Sequence, residues 1–169
     1  LPSGRTVEAQ VGLTDVLPTI LDLMEWPAPK GLPGRSLVPL MTRPRAGGEP
    51  PERALYIESM APLLSRNWAP LQGVRTSKWK YIDAPTAELY DLKADPGETV
   101  NIHNSRPEVV RRLRGDMETV IKRQAALPPD TTPGPGLDRE ARQKLVSLGY
   151  ISSGVAPAAT PRPDPKTVI

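Results

Sequence analysis

Cysteine is absent from the 169 residues, which excludes a disulfide framework and any thiolate-ligated metal site. Histidine occurs once, at His103. One imidazole among scattered carboxylates does not make a zinc centre, and His103 is expected in a solvated loop. Phenylalanine is missing and aromatics total 4%. Together with 22 prolines, this argues against one uniform core. About half of the chain is expected to pack well, with loop or linker for the rest. No apolar run reaches the roughly 20 residues of a membrane-spanning helix, so no transmembrane segment is predicted. The opening LPSGRTVEAQ lacks the apolar centre of a secretory signal. It also lacks an initiator methionine, and the chain reads as starting inside a longer protein.

What charge there is does not single out a partner. The net charge is +3, with basic residues spread among acidic ones, the pattern of an ordinary solvated surface. Lys78, Trp79, Lys80 and Tyr81 alternate basic and aromatic, which resembles a single-strand nucleic-acid platform. A strand with lysines on one face and rings on the other explains the same period of two, and no nucleic-acid partner is predicted.

Taken in order, residues 6–11 offer a short strand. Thr14 or Asp15 can cap a helix running over about 15–25, with Pro18 in its first turn. Val16, Ile20 and Met24, with Leu17 and Leu21, form a stripe expected to be buried. Trp26-Pro27 stops the helix, and Leu32, Leu37, Val38, Leu40 and Met41 anchor an extended arm. Residues 42–53 compose a loop.

Four strands are then predicted: 53–59, 71–76, 78–83 and 87–92. The stretch 60–70, holding Trp68, reads as a connecting loop. Thr76-Ser77 is a candidate tight turn, although a primed turn would favour glycine at 77. Asp91, Asp95 and Glu98 do not follow an EF-hand spacing. DPGE at 95–98 reads as a turn, and no metal ligand is assigned. Ser105 and Glu108 match a capping box, with Pro107 beside it. They open a helix to about 124 with Val109, Leu113, Met117, Val120 and Ile121 on one side and arginines on the other. Gly115 weakens its middle. Residues 127–137 read as a linker and 138–148 as a short helix capped by Asp138, with Gly149 as its stop. The remainder, rich in Pro, Ala and Ser, reads as a disordered linker.

Two stretches carry a family resemblance. TDVLPTILDLMEWPAPKGLPGRSLVPLM (14–41) and GVRTSKWKYIDAPTAELYDLKADPGETVN (73–101) resemble, in the expected order, segments from the second half of sulfatases of the alkaline-phosphatase superfamily. LDREARQKLVSLGYISSG and the later DPK resemble the joint, in one bacterial branch, between a sulfatase domain and a following array of tetratricopeptide repeats.

The resemblance implies an α+β fold: a small antiparallel sheet of about four strands with a packed C-terminal helix. A helix and an extended arm from a parent α/β domain precede it. The implied division is 1–52 as the end of that domain, 53–126 as the antiparallel subdomain and 127–169 as linker. It further implies an upstream catalytic domain using calcium and a formylglycine, in a parent that is periplasmic or secreted. The formylglycine motif, Cys/Ser-x-Pro-Ser-Arg, does not occur here, so no catalytic, cofactor or metal residue is assigned and the chain alone is predicted inactive. Two alternatives are an interaction module joining a hydrolase to a repeat array, and a fragment of a phosphoryl- or phosphonate-ester hydrolase.

Loops of the subdomain border the cleft in that family, which makes Arg75, Trp68 and Glu58 candidate substrate-binding residues. A guanidinium at a strand end suits a sulfate or phosphate oxygen. The plainer alternative is a structural ion pair between Arg75 and Glu58.

Overall fold

The computed structural model describes residues 6–7, 9–42, 52–125, 138–147 and 161–168. Residues 43–51 of the loop predicted at 42–53, the linker at 127–137 and the helix stop at Gly149 lie outside them.

The centre is a four-stranded antiparallel sheet in the order β1-β2-β3-β4. Its strands are β1 (Leu55–Ser59), β2 (Leu71–Arg75), β3 (Trp79–Asp83) and β4 (Glu88–Asp91). Register fixes the two faces. Tyr56 pairs with Val74, Val74 with Tyr81 and Tyr81 with Leu89, so these four share one face. That face meets the longest helix, Pro107–Ala125. Val74, Tyr81 and Leu89 close on its Leu113 and Met117 to form the core, with Trp79, Val109, Val110, Ile102 and Ile121 around them. The predicted α+β class, the sheet and its packed helix are all present.

Gly73 permits the close approach of β2 to β3, because a Cβ there would fall 2.2 Å from the Tyr81 carbonyl oxygen. The β2–β3 turn forms without glycine. The Thr76 hydroxyl, buried in the turn, accepts the N–H groups of Trp79 at 2.9 Å and Lys78 at 3.2 Å, and the Thr76 N–H donates to the Trp79 carbonyl at 2.8 Å. Residue 77 therefore does not need a left-handed backbone.

Five helices are described: α1 (Val16–Leu23), α2 (Val38–Thr42), α3 (Ala61–Arg66), α4 (Pro107–Ala125) and α5 (Arg139–Ser147). Several expectations are corrected. Residues 6–11 form no strand where they are described. The connecting loop before Trp68 contains α3, and the extended arm ends in α2, where the Ser36 hydroxyl accepts the Val38 N–H. The capping box at Ser105 is not formed: Ser105 sits in a 3-10 turn, His103–Ser105, and α4 begins at Pro107.

The apolar stripe of α1 is not buried. Of the predicted stripe, Val16, Leu17, Ile20 and Met24 are each about half exposed and Leu21 is half-buried; Leu23 is also about half exposed, and the buried residues of α1 are Pro18 and Thr19. Periodicity locates an apolar face; it does not supply the element that covers it.

The last described segment also departs from the expected disordered linker. Residues 161–168 return to the sheet, placing Asp164 and Pro165 in buried positions. The Ala69 N–H donates to the Pro163 carbonyl at 2.9 Å.

Candidate functional site

The signature stretch 14–41 proves to be a knot around Asp15. Its side chain has no exposed surface. Oδ2 accepts the Gly12 N–H at 2.9 Å and Oδ1 the Arg35 N–H at 3.0 Å. Arg53 grips both oxygens through two guanidinium nitrogens. Burial pushes the Asp15 carboxyl up, but the Arg53 guanidinium and the two amides outweigh it and hold the group below its ordinary value. Asp15 thus ties α1 to the arm, where a forward helix cap was expected.

One turn later the Thr19 hydroxyl donates to the Asp15 carbonyl at 2.6 Å and accepts the Leu37 N–H at 2.9 Å. Gly34 completes the knot: a Cβ there would lie 1.8 Å from the Thr14 carbonyl oxygen. These residues hold backbone together and present no open ligand.

The three candidate substrate residues are not brought to one point. Glu58 pairs with Gln72 on β2, and Arg75 pairs with Leu55 and Lys80. Gln72 and Arg75 are three residues apart, so Glu58 and Arg75 point to opposite faces and stand about 10 Å apart along the strands. The alternative Arg75–Glu58 ion pair is accordingly absent. Glu58 Oε2 instead accepts the Tyr56 hydroxyl at 2.9 Å. Burial, followed by this contact with Glu58, raises the Tyr56 phenol to about 12.

Trp68 lies at the Glu58 end of the sheet, since Leu71 pairs with Ser59. Its place follows from how α3 stops. Asn67 takes a left-handed backbone (φ 55°), and the N–H groups of Asn67 and Trp68 return to the carbonyls of Leu63 and Pro62. The Arg66 guanidinium stands 5.5 Å over the Trp68 ring. Arg75, at the other end beside the β2–β3 turn, has an exposed side chain.

The acidic residues at the end of β4 and beyond it are engaged with backbone and neighbours. Asp91 Oδ1 accepts from Lys93 and Ala94, and Asp95 accepts from the amides of Thr99 and Val100. These bonds hold the Asp95 carboxyl below its ordinary value. Glu98 pairs with Lys80 at 2.5 Å. Among the described residues no group of three His, Asp or Glu side chains is placed to hold a metal ion. The calcium and formylglycine implied by the resemblance find no ligand set among the described residues and no precursor motif in the sequence, and no chemical step is assigned through them.

His103 is half-buried and stacks on Tyr81 with ring centroids 6.5 Å apart, where a solvated position was expected. The Tyr81 hydroxyl donates to Asp83 at 2.8 Å and accepts from Arg114. Burial, then the bond to Asp83, raises that phenol, and Arg114 opposes the rise. Arg114 therefore belongs to a structural network.

Comparison with known proteins places these features. Residues 1–124 match the family described as "N-sulphoglucosamine sulphohydrolase, C-terminal". Arylsulfatase K of Gallus gallus is 34% identical over 125 residues, covering 69% of this chain and 23% of that protein. Arylsulfatase K of Homo sapiens is 30% identical over 133 residues, covering 72% and 24%. Among solved structures, one determined with its substrate D-glucosamine-2-N,6-O-disulfate has a TM-score of 0.54 at 28% identity, covering 70% of this chain and 25% of that one. A 2-O GAG sulfatase has a TM-score of 0.52 at 26% identity, covering 66% and 25%. The chain thus spans about a quarter of the length of the relatives it matches. Residues 1–124, with the Asp15 knot and the sheet under α4, belong to the C-terminal domain family of the sulfatases.

Proposed function

We propose that this chain is the C-terminal part of a sulfatase-like ester hydrolase whose catalytic centre lies in an upstream domain. It serves that domain as scaffold and as part of the cleft rim. The observation that carries the reading is the match of residues 1–124 to the family. The half-exposed apolar face of α1 supports it, because such a face suits a seam against another domain. In this reading 1–52 complete the parent α/β domain and 53–126 form the subdomain, while 127–169, of which 161–168 pack back on the sheet, stand between it and tetratricopeptide repeats. The parent uses calcium and a formylglycine and works in the periplasm or outside the cell.

The isolated chain, assayed with 4-nitrophenyl sulfate and calcium, is expected to give no hydrolysis above buffer. Clear turnover would refute the assignment of the centre to another domain. The rim role is tested in the whole enzyme with Trp68→Ala and Arg75→Ala made separately, since one small leaving group does not reach both. The residue that borders substrate raises KM by about three- to tenfold. Unchanged KM and kcat in both variants would discard the rim role and leave scaffolding alone.

A further inference from the structure

The sheet end that carries Trp68 is closed by a segment distant in sequence. Arg162 Nε donates to Asn67 Oδ1 at 3.2 Å, just before Trp68, and the Ala69 N–H donates to the Pro163 carbonyl at 2.9 Å, just after it. On the neighbouring β3–β4 loop, the Thr86 N–H donates to Asp164 Oδ2 at 2.8 Å, and Lys166 Nζ donates to the Thr86 carbonyl at 2.6 Å. The same ammonium pairs with Glu88 at 2.8 Å. We propose that Arg162–Lys166 is a clasp, a Pro-Asp-Pro-Lys peptide held in a dedicated seat, whose role is to lock the Trp68 loop against the β3–β4 loop.

The chemistry of seat and peptide is matched group by group. The seat offers two backbone donors, a backbone carbonyl, a side-chain amide oxygen and a carboxylate. The peptide answers with a carbonyl, a carboxylate, a guanidinium and an ammonium. Ala69 is 7% exposed with the peptide seated, and the Pro163 carbonyl is the acceptor that satisfies its N–H there. Asp164 is 6% exposed and carries two duties: Oδ2 takes Thr86, while Oδ1 takes the Lys166 N–H at 3.0 Å and caps the 3-10 turn Pro165–Thr167. Burial raises the Asp164 carboxyl, but these amides and the Lys166 charge hold it below its ordinary value. Pro163 and Pro165 restrict the free peptide and so reduce the entropy lost on docking. The left-handed Asn67 fixes the loop on one side of Trp68 and the clasp fixes it on the other.

Amide hydrogen exchange on the full chain tests this without requiring any enzymatic activity, so its failure is separate from failure of the hydrolase reading. The amides of Ala69 and Thr86 report the seat, and those of Thr76 and Ile102, bonded to Trp79 and Leu89, report the rest of the sheet. In Asp164→Ala, Ala69 and Thr86 are expected to exchange at least about tenfold faster, with Thr76 and Ile102 unchanged. Lys166→Met is expected to accelerate the same two amides and spare the controls. Unprotected Ala69 and Thr86 in the unaltered chain, or no change on substitution, would overturn the clasp. Equal acceleration of all four amides would overturn it too, by making Asp164 a residue of general stability.

Discussion

Asp15 has no exposed surface, and each of its carboxylate oxygens accepts both a backbone N–H and an Arg53 nitrogen. Asp15→Ala would leave a half-buried guanidinium unpaired and two amides unsatisfied. A loss of about 3–5 kcal/mol is expected, read by urea unfolding of the chain. Acid should act through the same residue. Its folded pKa lies below the ordinary 3.8, so its contribution is full above that value and is lost as pH falls through the folded pKa. Stability should therefore decline below about pH 4, and Asp15→Asn should flatten that decline. Gly34→Ala forces a methyl into the Thr14 carbonyl. Because backbone must move, a loss of about 1–3 kcal/mol is expected by thermal or urea unfolding. The sequence showed that 14–41 is a signature, but not that its aspartate, threonine and glycine hold backbone together, since their partners Leu37 and Arg53 lie 18 and 38 residues further on.

At the scale of elements, what was legible followed from period and chemistry. Alternation in β1 to β4 and the 3.6-residue stripe of α4 reproduce the observed sheet and helix. Misses came where a segment is too short for a period or where tertiary contacts decide. The six-residue α3 hides among Pro, Ser, Arg and Asn, which read as loop. The clasp looks like low-complexity linker until Asp164 and Lys166 meet Thr86 and Glu88. The β2–β3 turn was identified, but not the Thr76 hydroxyl that replaces glycine chemistry there. For the candidate site, single residues were nameable and their grouping was not. A strand's two faces separate Glu58 from Arg75 once the register is known. Nothing lies within 4 Å of a Cβ built at Gly115, so Gly115→Ala should stabilise the chain by about 1 kcal/mol, seen as a raised Tm.

For the whole molecule, two features pull in different directions. The sheet, α4 and the clasp satisfy one another, with Val74, Tyr81, Leu89 and Leu113 fully enclosed. The α1 region holds its backbone tightly through Asp15 and Thr19 while its apolar stripe faces outward. A half-exposed apolar stripe on a well-tied helix suits a seam against another domain. α1 is therefore expected to be covered when the chain is joined to an upstream domain. Met24, 49% exposed here, reports on this directly. Its oxidation rate by hydroxyl-radical footprinting should fall at least about tenfold from the isolated chain to the whole enzyme, since burial in a packed interface excludes the reagent. Equal oxidation of Met24 in the two would contradict the claim that these residues complete a larger hydrolase.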